Sequence, residues 1–288
     1  MPVLRQTTAI AVAAASAAVL AVAQVEVAEL AGITTLGGDF WAGEERVQGV
    51  QVTLISWYCA VSVPLAVAIT NAWRVLGARV RLAAVPAALG VLVALPVVAQ
   101  SSSDVIRDDA ISAVLTGILL GVLGGLVVTA VPAIGRGLAV YVALLWIVAL
   151  TFALSVPGTV VYAGMVEPLG LEFLRVLRSP VRALPYLGYL DYHLPFMLPL
   201  AVVVIILSGL LGATAMHRTA QWGKSVAVAT VGPVSAAAVY WLNPGQLYLW
   251  NESAAIVVLA VALCCLLLAA VTASAVRGGS RLSADSSA

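Results

Sequence analysis

Charge is what this sequence has least of. Lys and Arg number 14 and Asp and Glu 13 among 288 residues, or 9% of the chain, where soluble domains carry about 25%. So few charged groups cannot cover the surface of a soluble globule of this size. The near balance of signs also leaves no basic excess for neutralising nucleic-acid phosphates, so no nucleic-acid partner is expected. Disorder needs low hydrophobicity and high net charge, whereas 62% of the residues here are hydrophobic and the mean hydropathy is +1.09. Histidine occurs twice, at His193 and His217, in loops on opposite sides of the topology below, which is too few for a His-based metal cluster. Cys59, Cys264 and Cys265 lie in apolar runs where cysteine acts as a small apolar residue, and their odd number argues against a disulfide framework. No metal and no cofactor is expected.

What the chain does have is long apolar runs. A helix needs about 20 apolar residues to cross the hydrocarbon core, and stretches at 7–28, 51–73, 82–100, 110–132, 138–157, 195–216, 225–243 and 254–276 qualify. Breaks such as Gly37-Gly38-Asp39, Ser101-Ser102-Ser103-Asp104, Gly135-Arg136-Gly137 and Asn243-Pro244-Gly245 separate them. The expected fold is therefore all-α, a polytopic transmembrane helical bundle of about eight spans. It forms a single membrane-embedded domain over 1–276, with a disordered, Ser-rich cytoplasmic tail over 277–288. Placing the first residues inside puts Arg5, Arg74, Arg79, Arg81, Arg136, Arg218, Lys224, Arg277 and Arg281 on the cytoplasmic side. Arg46, Arg107, Arg175, Arg178 and Arg182 then fall outside. That bias predicts a multi-pass protein of the cell membrane with both termini cytoplasmic. The first run resembles a signal peptide around Ala21-Val22-Ala23, but its apolar stretch continues to Leu30, which favours an uncleaved helix.

Loop lengths recur along the chain. The second and sixth spans, and the fourth and eighth, stand 144 residues apart, as do Arg74 and Arg218 and Thr70 and Thr214. A parallel 4+4 duplication, with half-repeats 1–136 and 137–276, would produce this recurrence. So would any pair of similar hairpin sets, which is the plainer account.

The sharpest local pattern is in the fourth span, where Ala113, Gly117, Gly121 and Gly125 recur every four residues. Positions four apart stack on one helical face, and a row of small residues lets a second backbone approach closely in lipid. Packing against another span of the same chain is the expected use, with a homodimer or a sliding surface as alternatives. Ionisable residues are absent from the middle third of every span, which argues against a mid-membrane proton relay. Glu26 and Glu29 share a face at the outer end of the first span. They read as a solvated helix end before they read as a cation site with Asp39, Glu44 or Glu45. Pro64, Pro86, Pro96, Pro199 and Pro233, with Gly90, Gly209, Gly212 and Gly232, allow a bundle that bends.

The long outer loop 158–194 is the expected place for substrate or lipid-headgroup contact. Leu171, Leu174 and Leu177 lie on one side of a short interfacial helix, with Arg175, Arg178 and Arg182 available for anionic groups. Tyr186, Tyr189, Asp191, Tyr192 and His193 follow. Tyrosines at this level also serve simply as an aromatic belt, and no nucleophile stands beside the Asp-His pair, so no catalytic residue is assigned.

Asp39-Phe40-Trp41 in the first outer loop and Asn71-Ala72-Trp73-Arg74 running into Arg79 and Arg81 resemble the opening of bacterial ABC-2-type permease subunits, over about residues 1–81. The resemblance implies export driven by a separate cytoplasmic ATPase touching Arg74, Arg79 and Arg81 and, in the second half, Arg218 and Lys224. The leading expectation is a non-enzymatic transport component in the lipid bilayer, working with an ATPase, another membrane subunit or a second copy. The alternatives are a membrane enzyme acting on lipid-linked substrate at the outer face, and a structural or regulatory subunit of a membrane complex.

Overall fold

A computed structural model describes residues 2–37, 45–72, 83–155, 194–242 and 249–285. All regular elements among them are helices. They are α1 (Pro2–Leu30), α2 (Glu45–Ala72), α3 (Ala84–Val91), α4 (Ala94–Ser101), α5 (Arg107–Ala130), α6 (Pro132–Ser155), α7 (Leu194–Thr219), α8 (Trp222–Leu242) and α9 (Leu249–Asp285). Seven stretches among the described residues are long and apolar enough to span a bilayer, and Pro132–Ile147 is apolar but shorter. The helix containing it runs on to Ser155. The protein is a polytopic helical bundle.

Lipid leaves the backbone no water to bond with, so each spanning segment must satisfy its own polar groups as a helix. Five hydroxyls inside the spans follow the same rule. Ser62, Thr70, Thr129, Ser208 and Thr230 each donate to the carbonyl four residues back. Helix ends are closed locally. Gly32, at φ 69°, ends α1 in the left-handed region, with Gly32 N–H on the Glu29 carbonyl and Ile33 N–H on that of Ala28. This is a Schellman closure, and it turns Ile33 fully into the core.

The third span differs from the single helix expected over 82–100. It is two eight-residue helices meeting at Leu92–Val93. Pro96 has no N–H to offer the Leu92 carbonyl and its ring would crowd that oxygen. The bonds tighten instead to Val93 N–H on Gly90 and Leu95 N–H on Leu92. Pro64 and Pro233 lie inside α2 and α8 without dividing them. At the other end of the chain, α9 stays helical to Asp285, where the composition from 277 had suggested an irregular tail. Across 280–285 the sequence is Ser-Arg-Leu-Ser-Ala-Asp, with no proline to stop an existing helix, and extending a formed helix is easier than nucleating one.

α2 is the central helix, with 89% of its span buried against 33% for α1, α5 and α9. Its most extensive contact is with α5, and α1 packs on α2 and α3. In the second set α7 packs on α9, α6 on α8, and α8 on both α7 and α9. The two sets meet mainly where α2 touches α6 and α8, with smaller contacts from α5.

Close approaches fix the directions. A Cβ added at Gly117 would meet Ser56 and Cys59, and one at Gly121 would meet Ala60 and Val63. Position numbers rise together, so α2 and α5 are parallel and α3–α4 between them crosses once. Gly137 sits against Val228 and Tyr141 against Gly232, which makes α6 and α8 parallel as well. At one end of the bundle Ser103 N–H bonds to the Leu36 carbonyl and Thr35 N–H to the Gln51 side chain. That end holds Glu29, Asp104, Asp108 and Asp109, with Arg107 paired to Asp104 at 2.7 Å. The opposite end holds the start of α1, the end of α9 and the cations Arg136, Arg218, Lys224 and Arg277.

Candidate functional site

Gln24 is the one amide within the apolar stretch 9–25 of α1, and it is buried at 7% exposure. An unpaired amide in an apolar medium costs several kcal/mol, of order 4–8 in the most apolar reference solvents, so its partners decide how α1 docks. Its nitrogen donates to Ser62 Oγ at 2.9 Å and to the Tyr58 carbonyl at 3.3 Å, both on α2. Its oxygen accepts from Trp146 Nε1 on α6 at 3.1 Å. Ser62 in turn donates to the Tyr58 carbonyl at 2.7 Å. The Trp146 indole stacks on the Tyr58 ring with centroids 5.5 Å apart. One side chain thus binds a helix of its own set and a helix of the other.

Five residues earlier on α6, Tyr141 extends the polar interior toward α8. Its ring meets Trp57 edge-on at 6.0 Å and lies against Gly232 of α8, where a Cβ would collide with it. The Tyr141 hydroxyl is buried and has no hydrogen-bond partner among the described residues, and the same holds for Ser56 Oγ. Ser208 of α7, itself buried, donates to the Val204 carbonyl and stands near the Cys265 thiol of α9. Gln24, Trp57, Tyr58, Ser62, Tyr141 and Trp146 form a neutral polar and aromatic seam where the two helix sets join. Among the described residues no carboxylate, Lys, Arg or His belongs to it. The Gln24 amide is engaged at its nitrogen and its oxygen and the rings pack on one another, so the seam ties the two helix sets together and provides no charge for ion pairing.

Sequence reasoning passed over this seam. The signal was present in Gln24, a lone amide in an apolar run. It is hard to separate from chance without knowing which helix it faces.

The residues singled out from sequence fall in three groups. Ala113, Gly117, Gly121 and Gly125 are buried along one face of α5, where α2 covers them and Ala84 of α3 reaches Gly125. Arg218 and Lys224 are exposed at the basic end, beside the turn joining α7 to α8. Arg175, Arg178, Arg182, Asp191 and His193 lie outside the described residues, as do Arg74, Arg79 and Arg81. Glu29 is half-buried beside the Ser101 side chain and the Leu36 backbone, while Glu26 is exposed. Among the described residues no three His, Cys, Asp or Glu side chains gather closely enough to hold a metal. The glycines read as points of flexure are points of contact. Gly90 lies on the Ala14 carbonyl, Gly212 on that of Ala269, Gly209 on Leu268 and Gly232 on Tyr141.

No family model, curated protein or solved structure matches this chain.

Proposed function

We propose that the chain is the membrane component of a transporter, working with a cytoplasmic ATPase or another membrane subunit. The observation that carries this reading is the Gln24 node, a buried neutral polar seam at the junction of two helix sets. Buried polar side chains inside a bundle are costly and tend to mark function. Transporters built from repeats hold their sites at the interface between them. Two pairings recur in both sets, α1 with α3 and α2 with α5 in the first and α6 with α8 and α7 with α9 in the second, beside others that do not match. The half-repeats 1–136 and 137–276 are read as a duplication on that basis. The excess of Lys and Arg at one end supports a cytoplasmic side there, where an ATPase would meet Arg218 and Lys224 and, on the sequence reading, Arg74, Arg79 and Arg81. The likeness of residues 1–81 to ABC-2-type permeases supports the same arrangement.

The test is a deletion strain complemented with wild-type chain or with Gln24→Leu, compared by profiling solutes inside and outside the cells. A solute whose distribution changes on deletion should be restored by wild type and not by Gln24→Leu at equal expression. Crosslinking in native membranes should recover an ATPase or a second membrane subunit. An unchanged solute profile, with a chain that crosslinks to nothing, would overturn the proposal.

A further inference from the structure

At the basic end, α8 begins beside the last membrane-level turns of α9. The Trp222 indole N–H donates to Ser274 Oγ at 3.1 Å and approaches the Ala270 carbonyl at 3.4 Å. Between them opens a depression of about 430 Å³ lined by Trp222, Ser274, Arg277 and Gly278. Trp222 opens one apolar span and Gly278 closes another, so the depression sits where hydrocarbon gives way to headgroups, the level at which tryptophan anchors.

Three observations define what would fit. The site carries a cation: Arg277 is in its wall, and Lys224 and Arg218 stand at the same end of the bundle without lining it. The α8 N-terminus adds the positive end of a helix dipole. The carboxylates with described side chains, Glu26, Glu29, Asp104, Asp108 and Asp109, belong to the opposite end. The site has room, because a Cβ at Gly223 or Gly278 would meet nothing within 4 Å beyond its own stretch of helix backbone. It also continues into an apolar track. On α9, Leu263, Leu267 and Val271 are exposed by 52%, 65% and 63%, and at spacings of four they form a stripe that leads to Ser274 and Gly278. A small soluble anion would use the depression and leave the stripe idle, whereas an amphiphile uses both.

We propose that this depression binds the phosphate of an anionic phospholipid, whose acyl chain lies along Leu263, Leu267 and Val271. Arg277 supplies charge, and the Trp222 ring supports the glycerol level. Ser274 Oγ, already accepting from the indole, keeps its own proton for a phosphate oxygen. The assignment is independent of the transport reading and of which compartment the basic end faces, since either leaflet presents phosphodiesters there.

The full chain, purified in a mild detergent, is incubated with equal amounts of phosphatidylglycerol and phosphatidylcholine, and retained lipid is counted by native mass spectrometry. Wild type should retain phosphatidylglycerol preferentially. Arg277→Gln should lower that preference about fivefold, the share of one cation near an anionic surface. Gly278→Trp fills the depression and alters no charge, and it should lower retention at least as far. If Arg277→Gln acts and Gly278→Trp does not, attraction is diffuse and the built site is refuted. If inorganic phosphate displaces the lipid at matched ionic strength, the site takes a small anion and the lipid assignment is wrong. Equal retention by all three proteins would overturn the proposal outright. Circular dichroism of each variant confirms that the comparison is made between folded proteins.

Discussion

The Trp146 indole N–H donates to the Gln24 side-chain oxygen at 3.1 Å, joining α6 to α1 across 122 positions of sequence. Interhelical hydrogen bonds in membranes average only about 0.6 kcal/mol, with values up to about 1.7, because a separated helix also finds partners in the membrane. A double-mutant cycle of Gln24→Met and Trp146→Phe, followed by unfolding in mixed micelles, should therefore give a coupling of roughly 0.6–1.7 kcal/mol. Additive single mutants would mean the contact does not hold the sets together.

The α5 glycines should be unequal. A methyl at Gly117 collides with the Ser56 carbonyl oxygen, a backbone atom that cannot swing aside, whereas one at Gly124 meets only Pro64 carbons at 3.4 Å and beyond. Gly117→Ala should destabilise by about 1–3 kcal/mol as an overpacked contact. Gly124→Ala should be neutral or slightly stabilising, because alanine favours helix by up to about 1 kcal/mol over glycine. The shift of thermal midpoint in detergent for the two variants, measured side by side, decides it.

Ala220 ends α7 at φ 53°, the one non-glycine residue with positive φ among those described. A side chain in that region costs about 1–2 kcal/mol. Ala220→Gly should relieve much of it and raise the thermal midpoint; a midpoint that falls would show that the turn is not left-handed in solution.

Topology gives a further prediction. With Cys59, Cys264 and Cys265 replaced by alanine, single cysteines at Asp104 and Gly223 should react with a membrane-impermeant maleimide from opposite faces of sealed vesicles. Asp104 is 89% exposed at the acidic end, and Gly223 is exposed at the basic end. Labelling of both from one side would break the helix directions on which the bundle rests.

Much of the architecture is legible from composition, because lipid as solvent imposes helices wherever about 20 apolar residues run together. The row at Gly117, Gly121 and Gly125 could be read as a close-packing face, since helical spacing is local. Which helix it met could not, because α2 and α5 are separated by a whole span. The row Ala9, Ala13, Ala17 and Ala21, fully buried on α1, carries the same message more quietly, since alanine is common in any apolar helix. Pro96 was visible as a bend, yet the division at Leu92–Val93 depends on how the preceding turn tightens. The Gln24 node was least legible of all, being defined by Ser62 and Trp146 on two other helices.

The parallel run of α2 and α5 also constrains how the chain is made. Domains form from the N-terminal side during synthesis, and membrane helices insert before they associate. Residues Ser56, Cys59 and Ala60 therefore wait in the bilayer without their partner until two further crossings have left the ribosome. During that interval the groove-facing side of α2 meets only lipid or a chaperone. A nascent chain halted before Gly117 would leave this surface of α2 without the α5 backbone that covers it in the finished bundle.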